Sequence, residues 1–160
     1  MMPRSPTVPS MYRRQRGVGL IEVLVAVLIL SIGFLGIAAL QARSLSMNNS
    51  AMARSVATMA SYSILDAMRA DLTNAENRNY DGTVTASACP STTDTLAHTQ
   101  LGQWCSQLAA GLGASASTTG TIKCSTIGVC TVIVVYDDSK SRSSAADTST
   151  TQTVTTKAML

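Results

Sequence analysis

Residues 23–42 read VLVAVLILSIGFLGIAALQA, twenty consecutive positions without a formal charge. As a helix, such a run rises roughly 30 Å, the thickness of a bilayer's hydrocarbon core. Its N-terminal flank carries Arg4, Arg13, Arg14 and Arg16, and its C-terminal flank opens with Arg43. The denser cationic cluster lies before the run, so the positive-inside rule puts that end in the cytoplasm and the rest of the chain across the membrane. A secretory signal shares the basic start and the apolar stretch. Two features weaken that reading: the run is long enough to span, and no A-x-A-like site follows a short apolar core.

The remaining composition agrees with one modest domain behind this segment. The chain has 160 residues, 46% hydrophobic and only 4% aromatic, and its mean hydropathy of +0.21 is high for a soluble domain. Ten glycines and four prolines are too few for collagen or a low-complexity spacer, and the apolar content is too high for a disordered tail. The formal charge of +3 hints at an anionic partner, but its position removes the hint. Four arginines precede residue 17, and from Val18 onward eight Lys/Arg face nine Asp/Glu, a balance of −1. The body of the protein therefore has little electrostatic support for binding nucleic acid.

Glu22 does not fit a plain anchor. It lies in GVGLIEVLVA, residues 17–26, just ahead of the uncharged run. A carboxylate at membrane depth costs a few kcal/mol and points to function. Either it snorkels to the interface or it meets a cation inside the membrane. Arg16, six residues earlier, is poorly placed on the same helical face.

The string Arg13-Arg14-Gln15-Arg16-Gly17, followed by Val18-Gly19-Leu20-Ile21-Glu22-Val23-Leu24-Val25-Ala26, resembles the class III signal segment of type IV prepilins and pseudopilins. The resemblance implies cleavage by prepilin peptidase between Gly17 and Val18, on the cytoplasmic side, and methylation of the new Val18 amine. The apolar run would stay on the mature protein. Glu22 becomes its fifth residue, where pilins carry a glutamate that pairs with the N-terminal amine of a neighbouring subunit. Such a pair supplies the missing cation, because opposite charges attract strongly in low dielectric and specify axial register. Val18 stands where major pilins usually have Phe, which speaks for a minor subunit. Met11 offers an alternative start with the seven-residue leader MYRRQRG, and residues 1–10, with three prolines, carry no structural signal.

Residues 43–72 contain no proline or glycine, and Leu45, Met52, Val56, Met59, Leu65, Met68 and Leu72 recur at helical spacing. One helix over about 18–72, roughly 80 Å long, is predicted. Gly33 and Gly36 are places where it could bend, unwind or admit a close neighbour. The methionine-rich stripe reads as packing surface. Residues 74–90 read as loop with a short strand at 83–86, and Thr93-Asp94 signals a second helix carrying Ala97, Leu101, Trp104, Leu108 and Leu112. Gly111 or Gly113 would end it. After a Ser/Thr linker over 114–120 come strands at 121–124 and 130–136, a polar loop over 139–151 and a last strand over 154–160. The fold expected is α+β and type IV pilin-like: a long N-terminal helix, transmembrane in its first half, on a small C-terminal head with a β-sheet. Its parts would be a leader (1–17), a membrane and assembly helix (18–42), the periplasmic half of that helix (43–72) and the head (73–160).

Cys89, Cys105, Cys124 and Cys130 form no C-x-x-C, and His98 is the only histidine, so a metal site is not expected. In an oxidising compartment four cysteines in a small head read as two disulfides, which a core of that size needs. Three pairings are open. The hairpin favours Cys124–Cys130, which leaves Cys89–Cys105 to tie the loop to the second helix. His98 reads as an exposed helix residue.

Residues 31–41 (SIGFLGIAALQ), residues 64–71 (ILDAMRAD), and residues 104–112 followed by the apolar strand ending Tyr136-Asp137-Asp138 are similar to minor pilins of the PilV family, the type IV pilus modification proteins. That resemblance implies a structural subunit with no cofactor. It would belong to a small minor-pilin complex that primes pilus assembly and sits at the tip, supporting adhesion and twitching motility. Its partners would be other minor pilins, a tip adhesin, the major pilin, the inner-membrane assembly platform, prepilin peptidase, and lipid before assembly. It would reside in a Gram-negative inner membrane with the head in the periplasm, then at the pilus tip. A minor pseudopilin of type II secretion is the nearest rival, and a DNA-binding competence tip is another. From a different class, a membrane-anchored periplasmic enzyme or binding module competes, although the head has no G-x-S-x-G, carboxylate–histidine cluster or metal spacing.

Overall fold

The computed structural model describes residues 17–139 and 151–160. Residues 1–16, which hold all but the last residue of the expected leader (1–17) and the alternative start at Met11, and most of the loop expected over 139–151 lie outside them. By its contacts the chain divides into two compact units, residues 1–40 and 41–160.

In the first unit, residues 17–19 are non-helical and α1 (Leu20–Ala70, 51 residues) begins. The Glu22 and Val23 amides close its first turn on the Gly19 carbonyl, at 3.0 and 3.3 Å. The apolar side chains here are bare: Leu20 is 79% exposed and Phe34 63%. Burying each such side chain is worth about 1.5–3 kcal/mol, so an exposed run of this length calls for an apolar solvent. α1 is long and apolar enough to cross a membrane, with a mean hydropathy of 2.9 over its best 18 residues. It runs through Gly33 and Gly36 without unwinding, and a methyl group at either would meet nothing within 4 Å.

The second unit holds an antiparallel sheet in the order β1-β2-β3-β4, made of β1 (Gly82–Thr85), β2 (Thr119–Cys124), β3 (Val129–Asp137) and β4 (Thr151–Met159). α2 (Leu72–Glu76) precedes β1, and α3 (Leu96–Leu112) connects β1 to β2. β3 reads as nearly continuous apolar sequence, but its burial alternates as a one-sided sheet requires. Cys130, Val132, Val134 and Tyr136 face the core, and the residues between them are half-buried. Ile122 of β2 and Val84 of β1 continue this face. The core closes with Ala60, Ile64, Leu65 and Met68 of α1 and Trp104 and Leu108 of α3.

The face that α1 turns to this core differs from the predicted stripe. Leu65 and Met68 are buried, whereas Leu45, Met52, Met59 and Leu72 are exposed. Ala57, Ala60 and Ser61 take the central positions instead. The reason is the bulk opposite: the Trp104 indole lies close enough to donate from Nε1 to the Ala60 carbonyl at 3.0 Å, which leaves no room for a long side chain. The same crowding explains Gly120. A Cβ on Gly120 would lie 2.4 Å from Trp104 Cη2, so this residue, predicted to end a linker, is a strand residue that must lack a side chain.

Element ends also move. α1 stops at Ala70 and α2 occupies Leu72–Glu76, so part of the stretch expected as loop is helical. Arg78 then adopts a left-handed φ of 63° in the turn toward β1. α3 starts later than Thr93-Asp94 predicts, because Thr95 is the cap: its backbone is extended and its hydroxyl accepts the His98 amide at 3.2 Å. Gly113, at φ 101°, follows the last turn. β2, β3 and β4 each begin before the predicted residue, at Thr119, Val129 and Thr151.

Candidate functional site

The chemistry singled out in the sequence converges on the start of α1. Gly17, Val18 and Gly19 form a non-helical approach to the helix, with Val18 71% exposed. Glu22 follows in the first turn of α1 and is exposed. A carboxylate in a first turn is favoured by the unpaired amides and the positive end of the helix dipole. Asp66 pairs with Arg69 at 2.7 Å, and Asp94 holds His98 at 2.6 Å, a contact that is an ion pair only with the imidazole protonated. The helix from Leu20 onward carries Glu22 in its first turn, four residues after Val18 in sequence. Arg4, Arg13, Arg14 and Arg16 lie outside the described residues.

The four cysteines form two disulfides. Cys124 and Cys130 face each other directly in the β2–β3 register, with Cα atoms 4.0 Å apart. The Ser125 amide donates to the Val129 carbonyl at 2.8 Å, which makes the neighbouring Cys124–Cys130 pair a non-hydrogen-bonded one, where side chains come closest. Cys89, after β1, is joined to the buried Cys105 of α3 across 5.5 Å between Cα atoms.

A polar network that the sequence did not announce ties α1's end to α3. The buried Tyr80 hydroxyl is shared between the Asp71 carboxylate, at 3.0 Å from Oδ2, and Gln100 Oε1. The Asn74 side-chain amide donates to both Asp71 oxygens at 2.8 and 3.0 Å, and Asn79 donates to Asn74 Oδ1 at 2.7 Å. Burial first, and then the Asp71 carboxylate, hold the Tyr80 phenol well above its ordinary value. Desolvation likewise raises Tyr136, with Asp138 adding to it. In the sequence none of these side chains is singled out for such a role. The partners of Tyr80 lie nine and twenty positions away, and no local pattern pairs them.

His98, on the first turn of α3, is half-exposed and holds Asp94 through Nδ1, and that bond lowers the Asp94 carboxyl below its ordinary range. It borders a cavity of about 250 Å³ with Tyr80, Thr92 and Leu101. No three His, Cys, Asp or Glu side chains come together among the described residues.

With this geometry in place, the comparison that bears on it is a family model. The model of the prokaryotic N-terminal methylation motif matches residues 12–38. The chain carries a type IV pilin-like prepilin signal. The match takes in Arg13, Arg14 and Arg16, the Gly17–Val18 bond, Glu22 and most of the uncharged run, and it indicates a type IV pilin-like or pseudopilin-like protein. No curated protein and no solved structure matches the chain.

Proposed function

We propose that this chain is a minor pilin of the PilV kind, which helps to prime type IV pilus assembly and forms part of the pilus tip complex. The observation that carries the reading is the methylation motif at residues 12–38, with Glu22 in the first turn of an exposed apolar helix. Prepilin peptidase cuts between Gly17 and Val18 and the new Val18 amine is methylated. The basic leader holds the N-terminus in the cytoplasm until the cut and is then lost. α1 stays in the inner membrane with the head in the periplasm. On extraction into the filament, the Glu22 carboxylate meets the Val18 amine of a neighbouring subunit. Desolvation of both charges in the filament core makes that pair demanding in geometry, so it fixes the axial step between subunits. A subunit that keeps Glu22 docks beneath another's amine and is not the outermost one.

The role is structural, without catalysis, and the head is held by its neighbours: other minor pilins, the major pilin, a tip adhesin and the assembly platform. The N-terminus of the mature protein tests the core of this reading. Mass spectrometry should find methylated Val18 as the first residue, and an intact leader sinks it. Deletion of the gene should abolish or sharply reduce surface pili and twitching. The motif serves pilins and pseudopilins alike, so a minor pseudopilin of type II secretion is the second reading. Loss of secretion with normal piliation selects it.

A further inference from the structure

The tip of the β2–β3 hairpin departs from the usual chemistry of a turn. Residues 125–128 are closed by the Gly128 amide on the Ser125 carbonyl at 3.2 Å. The two central positions of such a turn favour glycine, asparagine, aspartate or serine. Here the second of them is Ile127, 73% exposed. The turn that carries it is firmly fixed. The Val129 amide donates to Ser125 Oγ at 3.1 Å, the Leu160 amide donates to the Gly128 carbonyl at 3.0 Å, and the Cys124–Cys130 bridge closes the strands just beneath. A side chain on so rigid a turn loses little freedom when something covers it.

Ile127 lines a cleft of about 520 Å³ between this turn and α2. Leu72, 42% exposed, the buried Ala75 and the half-buried Leu160 extend its apolar lining. Single apolar side chains on a surface are ordinary, but here several share one concave site of a size that holds part of a partner. The one charged side chain lining it is Glu76, which is exposed and in no ion pair among the described residues. The cleft lies at the Val129–Met159 end of the sheet, whereas residues 140–150 follow the opposite end of β3.

We propose that this cleft takes a lysine or arginine side chain of a different protein in the assembly. The aliphatic stem packs on Ile127 and Leu72 while the cationic head reaches Glu76, as long basic side chains do on apolar surface. Charge complementarity selects this occupant. No Lys, Arg or His side chain lines the cleft among the described residues, so the Glu76 carboxylate stands beside apolar surface without an answering charge. A second copy across a two-fold axis presents the same cleft, which sets Glu76 near Glu76 and brings no cation from its lining. An apolar anchor on a rigid turn, beside one charge, has the character of an interface hot spot. This inference rests on the assembly role proposed above and names one contact within it.

Incorporation of the full-length protein into its membrane-extracted assembly tests it. Ile127→Ser and Glu76→Lys should each reduce incorporation by about tenfold or more, whereas Ile127→Val and Lys157→Ala keep it. Ile127 and Glu76 are both exposed, so their variants should retain the thermal midpoint and disulfides of the parent. A photo-reactive benzoylphenylalanine in place of Thr126 should cross-link to another protein of the assembly, beside a lysine or arginine. Changing that basic residue to glutamate should block incorporation, and Glu76→Lys should then restore it. Normal incorporation of either folded variant overturns the proposal. So do a cross-link to a second copy or to a site without a basic residue, no cross-link at all, and failure of the paired charge reversal. Should a variant not fold, the cross-link still decides. Absence of processing at Val18 condemns the pilin reading and this contact with it, whereas normal incorporation of the variants in a processed protein condemns the cleft alone.

Discussion

The Trp104 indole nitrogen donates to the Ala60 carbonyl at 3.0 Å, joining residues 44 positions apart and locking α3 onto α1. Three small residues make that approach possible: Ala57 and Ala60 on α1, and Gly120 beneath the ring. Trp104→Phe should cost about 1–2 kcal/mol through the lost bond and volume, and Trp104→Ala about 3–5 kcal/mol. Gly120→Ala forces a methyl into the ring and should cost about 1–3 kcal/mol or more. Urea unfolding of the three variants checks the order, and an unperturbed Gly120→Ala would contradict the packing.

Tyr80 makes alkaline stability a second test. Its folded pKa lies above the ordinary 10.0, so the folded state holds the proton more tightly than the unfolded chain does. The contribution is complete below about pH 10 and is lost as pH rises through the folded value, by up to about 1.4 kcal/mol per pH unit. Tyr80→Phe should cost about 1–2 kcal/mol at neutral pH, because Asp71 and Gln100 lose a partner, and should flatten the decline above pH 10. Asp94 acts at the other end with the opposite sign. Held low by His98, it contributes above the unfolded value of 3.8 and loses that contribution as pH falls through the folded one. It is an exposed surface group, so Asp94→Asn should leave the thermal midpoint at neutral pH unchanged.

The disulfides separate by loop length. Closing sixteen residues between Cys89 and Cys105 should stabilise by about 3 kcal/mol, and closing six between Cys124 and Cys130 by about 2 kcal/mol. Paired Cys→Ser variants, followed by denaturant unfolding, should show that order.

Glu22 divides insertion from assembly. Glu22→Gln removes a charge that a membrane resists, so membrane integration should hold or improve while incorporation into filaments falls sharply. Fractionation of membranes against sheared filaments reads both, and full incorporation of Glu22→Gln would remove the charge pair from the mechanism.

How far the sequence reveals these features depends on the range of the interaction. The anchor segment and its one carboxylate are local patterns, visible because twenty uncharged residues isolate a single Glu. The β-branched run of β3 and the six-residue spacing of Cys124 and Cys130 are local too, and together they contain a hairpin. The core face of α1 is not local. Met52 and Met59 carry a stronger apolar signal than Ala57 and Ala60, yet the alanines are buried, because what selects a small residue is a tryptophan on another helix. The Asp71–Tyr80–Gln100 network escaped for the same reason, and Thr95 was passed over because Thr93-Asp94 offers an equally good capping pattern two residues earlier.

The placing of Cys124 opposite Cys130 has a further consequence, for how the head arrives at its fold. A slip of one residue between β2 and β3 puts Ile122 and Val132 on opposite faces and turns one of them to solvent, and hydrophobic patterning alone rejects it. A slip of two keeps every face and escapes that check. It also carries the two cysteines about 7 Å along the strands, beyond the reach of a disulfide. Oxidation therefore proofreads the reading frame of the sheet: only the native alignment can be sealed, and the near-miss that buries the same faces stays open and able to correct itself.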